Sequence, residues 1–282
     1  MDLLVFVAVL TAAACHAGWN ALLKLHLEPI VSTVLVAAAS GLIALPLVLA
    51  LELPSAAAWP YVLASVVIHV GYFLALAEAY RYGDLGQVYP IARGTAPLIT
   101  AVVASLTLGE ALGPLGWAGV GVLAVGVLLL SVRAGRQVTR LHGRSVAFAL
   151  LTALTITAYT VVDGTGARAA GSPAAYTAWL FLLSGVAMGL YGLHRIGRQR
   201  IAGAFKDNWS IAAGGAALSV TAYAIAIWAM TVAPIALVAA LRETSVLFAA
   251  LLSTLLLREP WPAARIAATL MVLAGVLLLR VQ

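Results

Sequence analysis

The chain has 282 residues, of which 63% are apolar and only 9% are charged. Water-soluble domains contain about 25% charged residues, so this composition excludes a soluble globular protein. The formal net charge is +6, but the basic residues stand in short clusters between apolar runs. That pattern is typical of membrane topology and not of a nucleic-acid-binding face. A single cysteine, Cys15, excludes an intramolecular disulfide and a cysteine-rich metal site.

Ten apolar runs are long enough to cross a bilayer, which takes about 20 residues for one helix. Proline, glycine and charged residues separate these runs. The predicted spans are 3–23, 30–51, 58–80, 86–108, 112–132, 145–165, 173–194, 208–230, 234–257 and 261–281. The predicted fold class is therefore an all-α integral membrane protein with ten transmembrane helices. Asp2 stands where a signal peptide would carry a basic residue, so we expect the first span to be retained.

The ten spans form two repeats of five. A shift of 149 residues without a gap places Arg93 on Arg242, Glu110 on Glu259, and Gly126 on Gly275. Because five is an odd number, the second repeat enters the membrane in the opposite orientation, an arrangement characteristic of secondary transporters. We expect a first repeat at 1–132, a basic cytoplasmic linker at 133–144, and a second repeat at 145–282.

The distribution of Lys and Arg predicts the orientation. Twelve of these residues lie in or beside the loops that follow odd-numbered spans, and only Arg168 and Arg280 lie on the opposite side. The twelve are Lys24, Arg81, Arg133, Arg136, Arg140, Arg144, Arg195, Arg198, Arg200, Lys206, Arg258 and Arg265. Since basic loops stay in the cytoplasm, both termini are predicted to be outside it, and the protein is predicted to lie in a bacterial inner membrane.

Charged residues inside the spans are the first candidates for a site, because each costs about 2.5–3.5 kcal/mol to insert. Arg93 lies within span 4, and Arg242 with Glu243 lies within span 9. The repeat pairs the two arginines, so both guanidinium groups are expected to face one central cavity, where they suit a carboxylate, phosphonate or phosphate. The alternative is internal neutralisation, of Arg93 by Glu78 and of Arg242 by Glu243 or nearby backbone.

Glu78 lies late in span 3. Both Glu78 and Glu243 are candidates to bind a substrate amine or to carry a coupling proton, and the equal alternative is an ion pair with arginine that only joins helices. Helical periodicity places neither Tyr72 nor His69 close to the face of Glu78. Of these two residues, only Tyr72 is expected to border the cavity.

Two polar stripes are predicted to face the interior of the bundle. His16, Asn20 and Lys24 recur every four residues on one face of span 1. Thr152, Thr155, Tyr159 and Asp163 likewise share one face of span 6. Such a stripe either lines a water-filled path or forms hydrogen bonds between helices. Lys24 and Asp163 stand near span ends, so we expect their side chains to extend to the interface.

Turns and prolines complete the pattern. Pro90 and Pro97 are expected to open or kink span 4. Glu110 and Glu259 stand in equivalent turns, where each is expected to stabilise the N-terminus of the helix that follows.

These motifs resemble the drug/metabolite transporter superfamily, in particular its members with two EamA domains. The resemblance covers the whole chain and depends on the set of motifs together. The set comprises the stretch 16–20 followed by Lys24, the run 90–97, and the duplicated turns Leu108-Gly109-Glu110 and Leu257-Arg258-Glu259.

The resemblance implies ten helices in two inverted repeats and a central cavity lined by helices 1, 3, 4, 6, 8 and 9. The implied cavity residues are His16, Asn20, Tyr72, Glu78, Tyr89, Arg93, Tyr159, Tyr223, Arg242 and Glu243. Ten-helix members usually keep both termini in the cytoplasm, so the charge count departs from the family.

The expected function is secondary active transport of a small anionic or zwitterionic metabolite by alternating access, with proton coupling as a possibility and no cofactor or metal. The predicted partners are therefore a small-molecule substrate and the lipid bilayer, with no nucleic acid. One alternative is a broad-specificity exporter of lipophilic cations. An intramembrane enzyme is less expected, because no zinc-protease or serine-hydrolase motif is present. The pattern leaves the substrate, direction and oligomeric state open.

Overall fold

The computed structural model describes residues 1–23, 28–82, 85–132, 143–257 and 263–282. Side chains are described in these ranges except at 23, 29, 73–82, 85–90, 131–132, 145, 253 and 255–257. The helices are α1 Leu3–Leu23, α2 Pro29–Ala50, α3 Trp59–Tyr82, α4 Leu85–Leu108, α5 Pro114–Val132, α6 Gly143–Ala169, α7 Pro173–Arg195, α8 Arg198–Asp207, α9 Trp209–Val232, α10 Ile235–Arg242, α11 Ser245–Leu257 and α12 Ala263–Val281.

The all-helical membrane fold predicted from the sequence is confirmed. Within the described ranges, eight helical stretches are long and apolar enough to cross a bilayer, and the shorter apolar stretches Ala56–Tyr72 and Pro114–Leu130 lie in the helices that account for spans 3 and 5. Two features were not predicted. Span 9 is divided into α10 and α11, and the short helix α8 occupies the basic connection between spans 7 and 8.

The helix packing has the symmetry of an inverted repeat. Exchanging the two halves converts α1 into α6, α2 into α7, α3 into α9, α4 into α10 with α11, and α5 into α12. Under this exchange, the contact of α3 with α6 becomes that of α9 with α1, and both are present. The contact of α4 with α6 likewise becomes that of α10 and α11 with α1. The pairs α2 with α7 and α5 with α12 map onto themselves, so they lie on the pseudo-two-fold axis.

Glycines allow the closest approach at one of these axial contacts. A Cβ atom added to Gly185 of α7 would lie 2.8 Å from the carbonyl oxygen of Ala37 and from the Cα of Gly41, both on α2. These are backbone atoms, which cannot move away as a flexible side chain can. Small residues of this kind let membrane helices pack backbone against backbone.

We expect Gly185→Ala to destabilise the protein by about 1–3 kcal/mol, because the extra methyl group forces α2 and α7 apart. Gly189 lies one turn later on α7, and a Cβ there would meet nothing within 4 Å. Gly189→Ala is therefore the matched control, and we expect it to be neutral or to stabilise by up to about 1 kcal/mol. Thermal unfolding in detergent measures both, and equal melting temperatures for the two variants would contradict this packing.

The helix bundle ends in two faces. The loops after odd-numbered spans form the odd-loop face, and the remaining loops form the even-loop face together with both termini.

On the even-loop face, the turn from α6 to α7 is fixed by three consecutive residues. Gly171 takes a positive φ of 75°, the Ser172 side chain accepts a hydrogen bond from the N–H of Ala175, and Pro173 begins α7. This is the order that helix-capping chemistry favours.

An ion pair joins the two halves at the even-loop face. The Arg168 guanidinium lies 2.8 Å from the Glu110 carboxylate, and it also donates to the carbonyls of Met230 and Ala233 at the end of α9. Glu110 accepts from the first backbone N–H groups of α10, those of Ile235 and Ala236. Glu110 does stabilise a helix N-terminus, but the prediction named the wrong helix, since α10 belongs to the other repeat. The corresponding Glu259 lies outside the described residues.

The break in span 9 replaces one that was predicted in span 4. Helix α4 is continuous through Pro90 and Pro97, so span 4 is not opened there, and the alternative of a kink stays a prediction. The interruption falls instead at Glu243 and Thr244, in the corresponding helix of the second repeat, where backbone N–H groups bond three residues back to Ala240 and Leu241. The Thr244 hydroxyl adds a bond to the Leu241 carbonyl, so this turn satisfies polar groups that a bilayer could not.

Candidate functional site

A cavity of about 1020 Å³, including the part open to solvent, lies between the two halves. Its walls come from eight helices, α1–α4, α6, α7, α9 and α10. Because α9 and α10 belong to spans 8 and 9, all six helices that the resemblance implied line the cavity. Helices α2 and α7 line it in addition. Six of the predicted site residues line it. They are His16, Tyr72, Arg93, Tyr159, Tyr223 and Arg242. A narrow adjoining space is lined by Glu243 and shares Arg93, Tyr159 and Arg242 with the cavity.

Three predicted residues are not among the described lining residues. The Asn20 amide donates to the backbone carbonyl of His16, 2.7 Å away on the same helix. Glu78 and Tyr89 lie outside the residues whose side chains are described. On the second polar stripe, the hydroxyls of Thr152 and Thr155 likewise bond to carbonyls of their own helix. Much of the polar character of both stripes is therefore satisfied within single helices.

Arg93 forms an ion pair across the repeat boundary. Its Nε lies 3.0 Å from a carboxylate oxygen of Glu243, and both side chains are less than 10% exposed. A second guanidinium nitrogen donates to the Ser245 hydroxyl, 3.4 Å away at the start of α11. The alternative in which Arg242 pairs with Glu243 is therefore not what the structure has. Arg93 instead connects α4 to both sides of the break between α10 and α11.

Arg242 occupies a different environment from its symmetry partner. Its guanidinium carbon lies 5.0 Å from the centre of the Tyr223 ring, a cation–π contact. Within the described part of the chain, no carboxylate lies at ion-pair distance from Arg242. The guanidinium is only partly buried and borders both cavity spaces. Its hydrogen-bond donors are therefore available at the cavity wall.

Aromatic side chains form the floor of the cavity, on the side towards the even-loop face. The His69 ring stacks on Tyr159 at 4.4 Å between centroids and meets Tyr223 edge-on at 6.0 Å. Tyr72 and Phe181 add further edge contacts. The expectation that only Tyr72, and not His69, borders the cavity is wrong. Helical periodicity related these residues to Glu78, and it carries no information about the neighbouring helix that supplies the stacking partner.

Asp163 lies directly beneath this floor. Its side chain is completely buried, so the expectation that it extends to the membrane interface is wrong. Tyr176 donates to one carboxylate oxygen at 2.9 Å, and Tyr223 donates to the other. Asp163 stands six residues before the end of α6, but α3, α7 and α9 surround it there. Proximity to a span end was therefore a poor guide to exposure.

The described residues contain no group of three or more His, Cys, Asp or Glu side chains arranged to hold a metal ion. The groups at the cavity wall are a guanidinium group, aromatic faces, and hydroxyls such as those of Ser40 and Ser184, all of which can contact a ligand.

Comparison with known proteins agrees with this architecture. A crystal structure, titled only as that of a protein, superposes with a TM-score of 0.74 over 98% of this chain and 94% of its own, at 16% sequence identity, and so shares the fold. No curated protein matches the sequence. The model of the EamA-like transporter family matches residues 1–132 and 143–281. Two matched segments that together cover nearly the whole sequence establish that this multi-pass membrane protein belongs to the EamA-like transporter family.

Proposed function

We propose that the protein is a secondary active transporter of a small anionic or zwitterionic metabolite and works by alternating access. The observation that carries this proposal is Arg242, a guanidinium group at the wall of the central cavity with no carboxylate partner among the described residues. A planar fork of donors suits a carboxylate, phosphonate or phosphate oxygen pair. Burying a cation inside a membrane protein is unfavourable without such a purpose.

Glu243 extends the proposal to zwitterions. Its carboxylate is paired with Arg93 and lines the smaller space that also borders Arg242. A substrate whose anionic group is bound by Arg242 would present a nearby amine towards Glu243. The interrupted helix brings these two residues together at mid-membrane, the position where broken helices form binding sites in secondary transporters.

The depth of the cavity supports one state of an alternating-access cycle. Its lining extends to Trp19 and Thr33, each four residues from the odd-loop end of its helix. Towards the even-loop face, the lining stops at Val66 and Leu180, each seven residues from the helix end. Beyond that level, the Glu110–Arg168 pair and the aromatic contact of Trp59 with Trp179 hold the helices together. We interpret this state as open towards the odd-loop face.

We also propose that the odd-loop face is cytoplasmic and that the protein lies in a bacterial inner membrane. The charge bias supports this orientation, and its two exceptions have structural roles. Arg168 is bound to Glu110 and to carbonyls of α9, and Arg280 donates to the Met1 carbonyl. Neither therefore needs to act as a cytoplasmic topology signal, and the observed state is then open to the cytoplasm.

Cysteine accessibility tests the orientation. In a Cys15→Ala background, Leu53→Cys places one thiol in an exposed position on the even-loop face, and Gln199→Cys places one on exposed α8. We expect a membrane-impermeant maleimide to label position 53 in intact cells and position 199 only after the inner membrane is opened. The reverse pattern would contradict the proposed orientation and would place both termini in the cytoplasm.

A second candidate function is export of lipophilic cations. The stacked rings of His69, Tyr159 and Tyr223 offer aromatic faces, which attract cations. The cation that already occupies the Tyr223 face is Arg242, and a positive substrate would be repelled by it. This arrangement favours the anionic substrate.

Ligand-dependent thermal stabilisation tests the two functions against each other. Any compound that binds only the folded state raises its stability, by about 2.7 kcal/mol at a concentration of 100 times Kd. The panel contains amino acids, phosphonates, sugar phosphates and lipophilic cations, each tested on the purified protein. We expect at least one anion or zwitterion to stabilise it. Stabilisation by the cations alone would overturn the anion proposal in favour of the exporter.

A further inference from the structure

We propose that Asp163 is a proton-binding site that couples proton movement to anion binding at Arg242. The inference rests on the proposed transport function for its coupling step, but the proton site itself can be tested without a substrate.

The environment of Asp163 is unusual for a buried carboxylate. Its side chain has no exposed area, and the neutral hydroxyls of Tyr176 and Tyr223 donate hydrogen bonds to it. In the described ranges, no Lys, Arg or His side chain lies at ion-pair distance from it, and His69 acts on it only electrostatically, from a longer distance. A carboxylate within a span is expensive to insert, and those that persist without a cationic partner characteristically serve proton or ion pathways.

A proton fits this position better than a metal ion does. The tyrosine hydroxyls donate to the carboxylate and therefore direct hydrogen atoms, not lone pairs, towards it. The surrounding packing is also tight, since a Cβ on Gly166 would lie 2.5 Å from the Tyr61 side chain and 2.6 Å from the Tyr176 ring. A hydrated cation has no room there.

Tyr223 connects this site to the substrate cavity. Its hydroxyl donates to Asp163, while its ring carries the Arg242 guanidinium at 5.0 Å. Asp163 lies one helical turn beyond Tyr159, on the even-loop side of the aromatic floor. The present cavity therefore reaches Tyr223 from one side, and Asp163 lies behind it, nearer to the face that the alternate state would open.

The charged and titratable groups around Asp163 come from every helix packed on α6. Helix α3 contributes Tyr61 and His69, α7 contributes Tyr176, α9 contributes Tyr223, and α6 itself contributes Tyr159. Arg93 of α4 is paired with Glu243, and Arg242 of α10 acts through Tyr223. Asp163 is thus linked to Arg242 through a single side chain, that of Tyr223.

This link through Tyr223 predicts whether proton binding at Asp163 strengthens or weakens anion binding at Arg242. When the Asp163 carboxylate binds a proton, it becomes a neutral acid and gains a donor, so Tyr223 loses its anionic acceptor. The negative charge behind Arg242 disappears at the same time, and the guanidinium then attracts an external anion more strongly. Proton binding and anion binding therefore favour each other, and by linkage the effect is reciprocal.

Infrared difference spectroscopy of the reconstituted protein at two pH values tests the proton site directly. We expect the wild type to show the carbonyl-stretch band of a protonated carboxyl group. This band should be lost in Asp163→Asn. It should move to higher frequency in Tyr176→Phe, because that change removes a hydrogen bond from the carboxyl group. Glu110→Gln and Glu243→Gln are controls that retain this band. If Asp163→Asn does not fold, the frequency of the band in Tyr176→Phe still shows whether the band comes from Asp163. A spectrum without a band sensitive to either change, over the pH range in which the protein stays folded, would overturn the proposal.

Coupling is tested with the anion that stabilises the wild type in the screen above. Asn at position 163 imitates the protonated acid, so we expect its anion affinity to lose all dependence on pH and to equal the wild-type affinity at low pH. In proteoliposomes, the variant should still exchange labelled for unlabelled anion but should no longer accumulate it under a pH gradient. Accumulation equal to wild type would overturn the coupling. A screen in which no anion binds would instead contradict the proposed function and leave the infrared result unaffected.

Discussion

Replacing Arg242 by Ala is expected to lower the affinity for the anionic substrate by about 100-fold or more while the protein still folds. A bidentate pair supplies two charge-assisted hydrogen bonds of about 1.5–3 kcal/mol each, and each 1.4 kcal/mol corresponds to a factor of ten. The folded state should tolerate the loss, because within the described part of the chain Arg242 has a cation–π contact with Tyr223 and no ion pair. Thermal stabilisation by the anion measures the affinity, and the melting temperature without ligand measures the fold.

Arg242→Lys is the matched control for charge. A lysine keeps the positive charge but lacks the planar fork of donors, so its affinity should fall between those of the wild type and Arg242→Ala. An affinity unchanged in Arg242→Ala would remove Arg242 from the binding site.

Replacing Arg93 alone is expected to damage the fold far more than replacing Arg242. Arg93→Met removes one member of a buried ion pair and leaves the Glu243 carboxylate without that partner, which costs about 3–5 kcal/mol. Glu243→Leu should destabilise similarly. Because a buried pair can be replaced by apolar residues at little net loss, the double variant Arg93→Met/Glu243→Leu should be less destabilised than the sum of the two single changes.

The chain provides a control pair for this double-mutant cycle. Arg200 and Glu28 lie 2.8 Å apart, but their side chains are 59% and 63% exposed. Exposed pairs contribute about 0–1 kcal/mol, so the coupling energy there should be small. A coupling energy at Arg93 and Glu243 no larger than at Arg200 and Glu28 would show that the buried pair does not hold the broken helix in place.

The membrane fold was predictable because hydropathy and repetition act over whole segments. Ten apolar runs, and a shift of 149 residues that places spans 4 and 5 on spans 9 and 10, indicated ten helices in two inverted repeats. The break at Glu243 and Thr244 was not predictable, because 235–257 contains neither proline nor glycine. It depends on Arg93, which lies 150 positions earlier and holds Glu243 from another helix. A polar pair at mid-span, Arg242-Glu243, was the only signal for it.

The site was predictable as a set of residue types but not as a set of partners. Repeat symmetry identified Arg93 and Arg242 as equivalent, yet their partners differ, because Glu243 has no acidic counterpart at position 94, which is Gly94. His69 and Asp163 were missed for a related reason. Their roles depend on tyrosines from α6, α7 and α9, and a face assignment within one helix cannot reveal which neighbouring helix supplies a partner.

The most direct test of Arg242 as the anion-binding residue is a structure of the protein with the stabilising anion bound. We predict that the anionic group lies within hydrogen-bond distance of the Arg242 guanidinium, above Tyr223, while Arg93 stays paired with Glu243. An anion bound at the basic residues of the odd-loop face, with Arg242 still in contact only with Tyr223, would show that Arg242 is not the anion-binding residue.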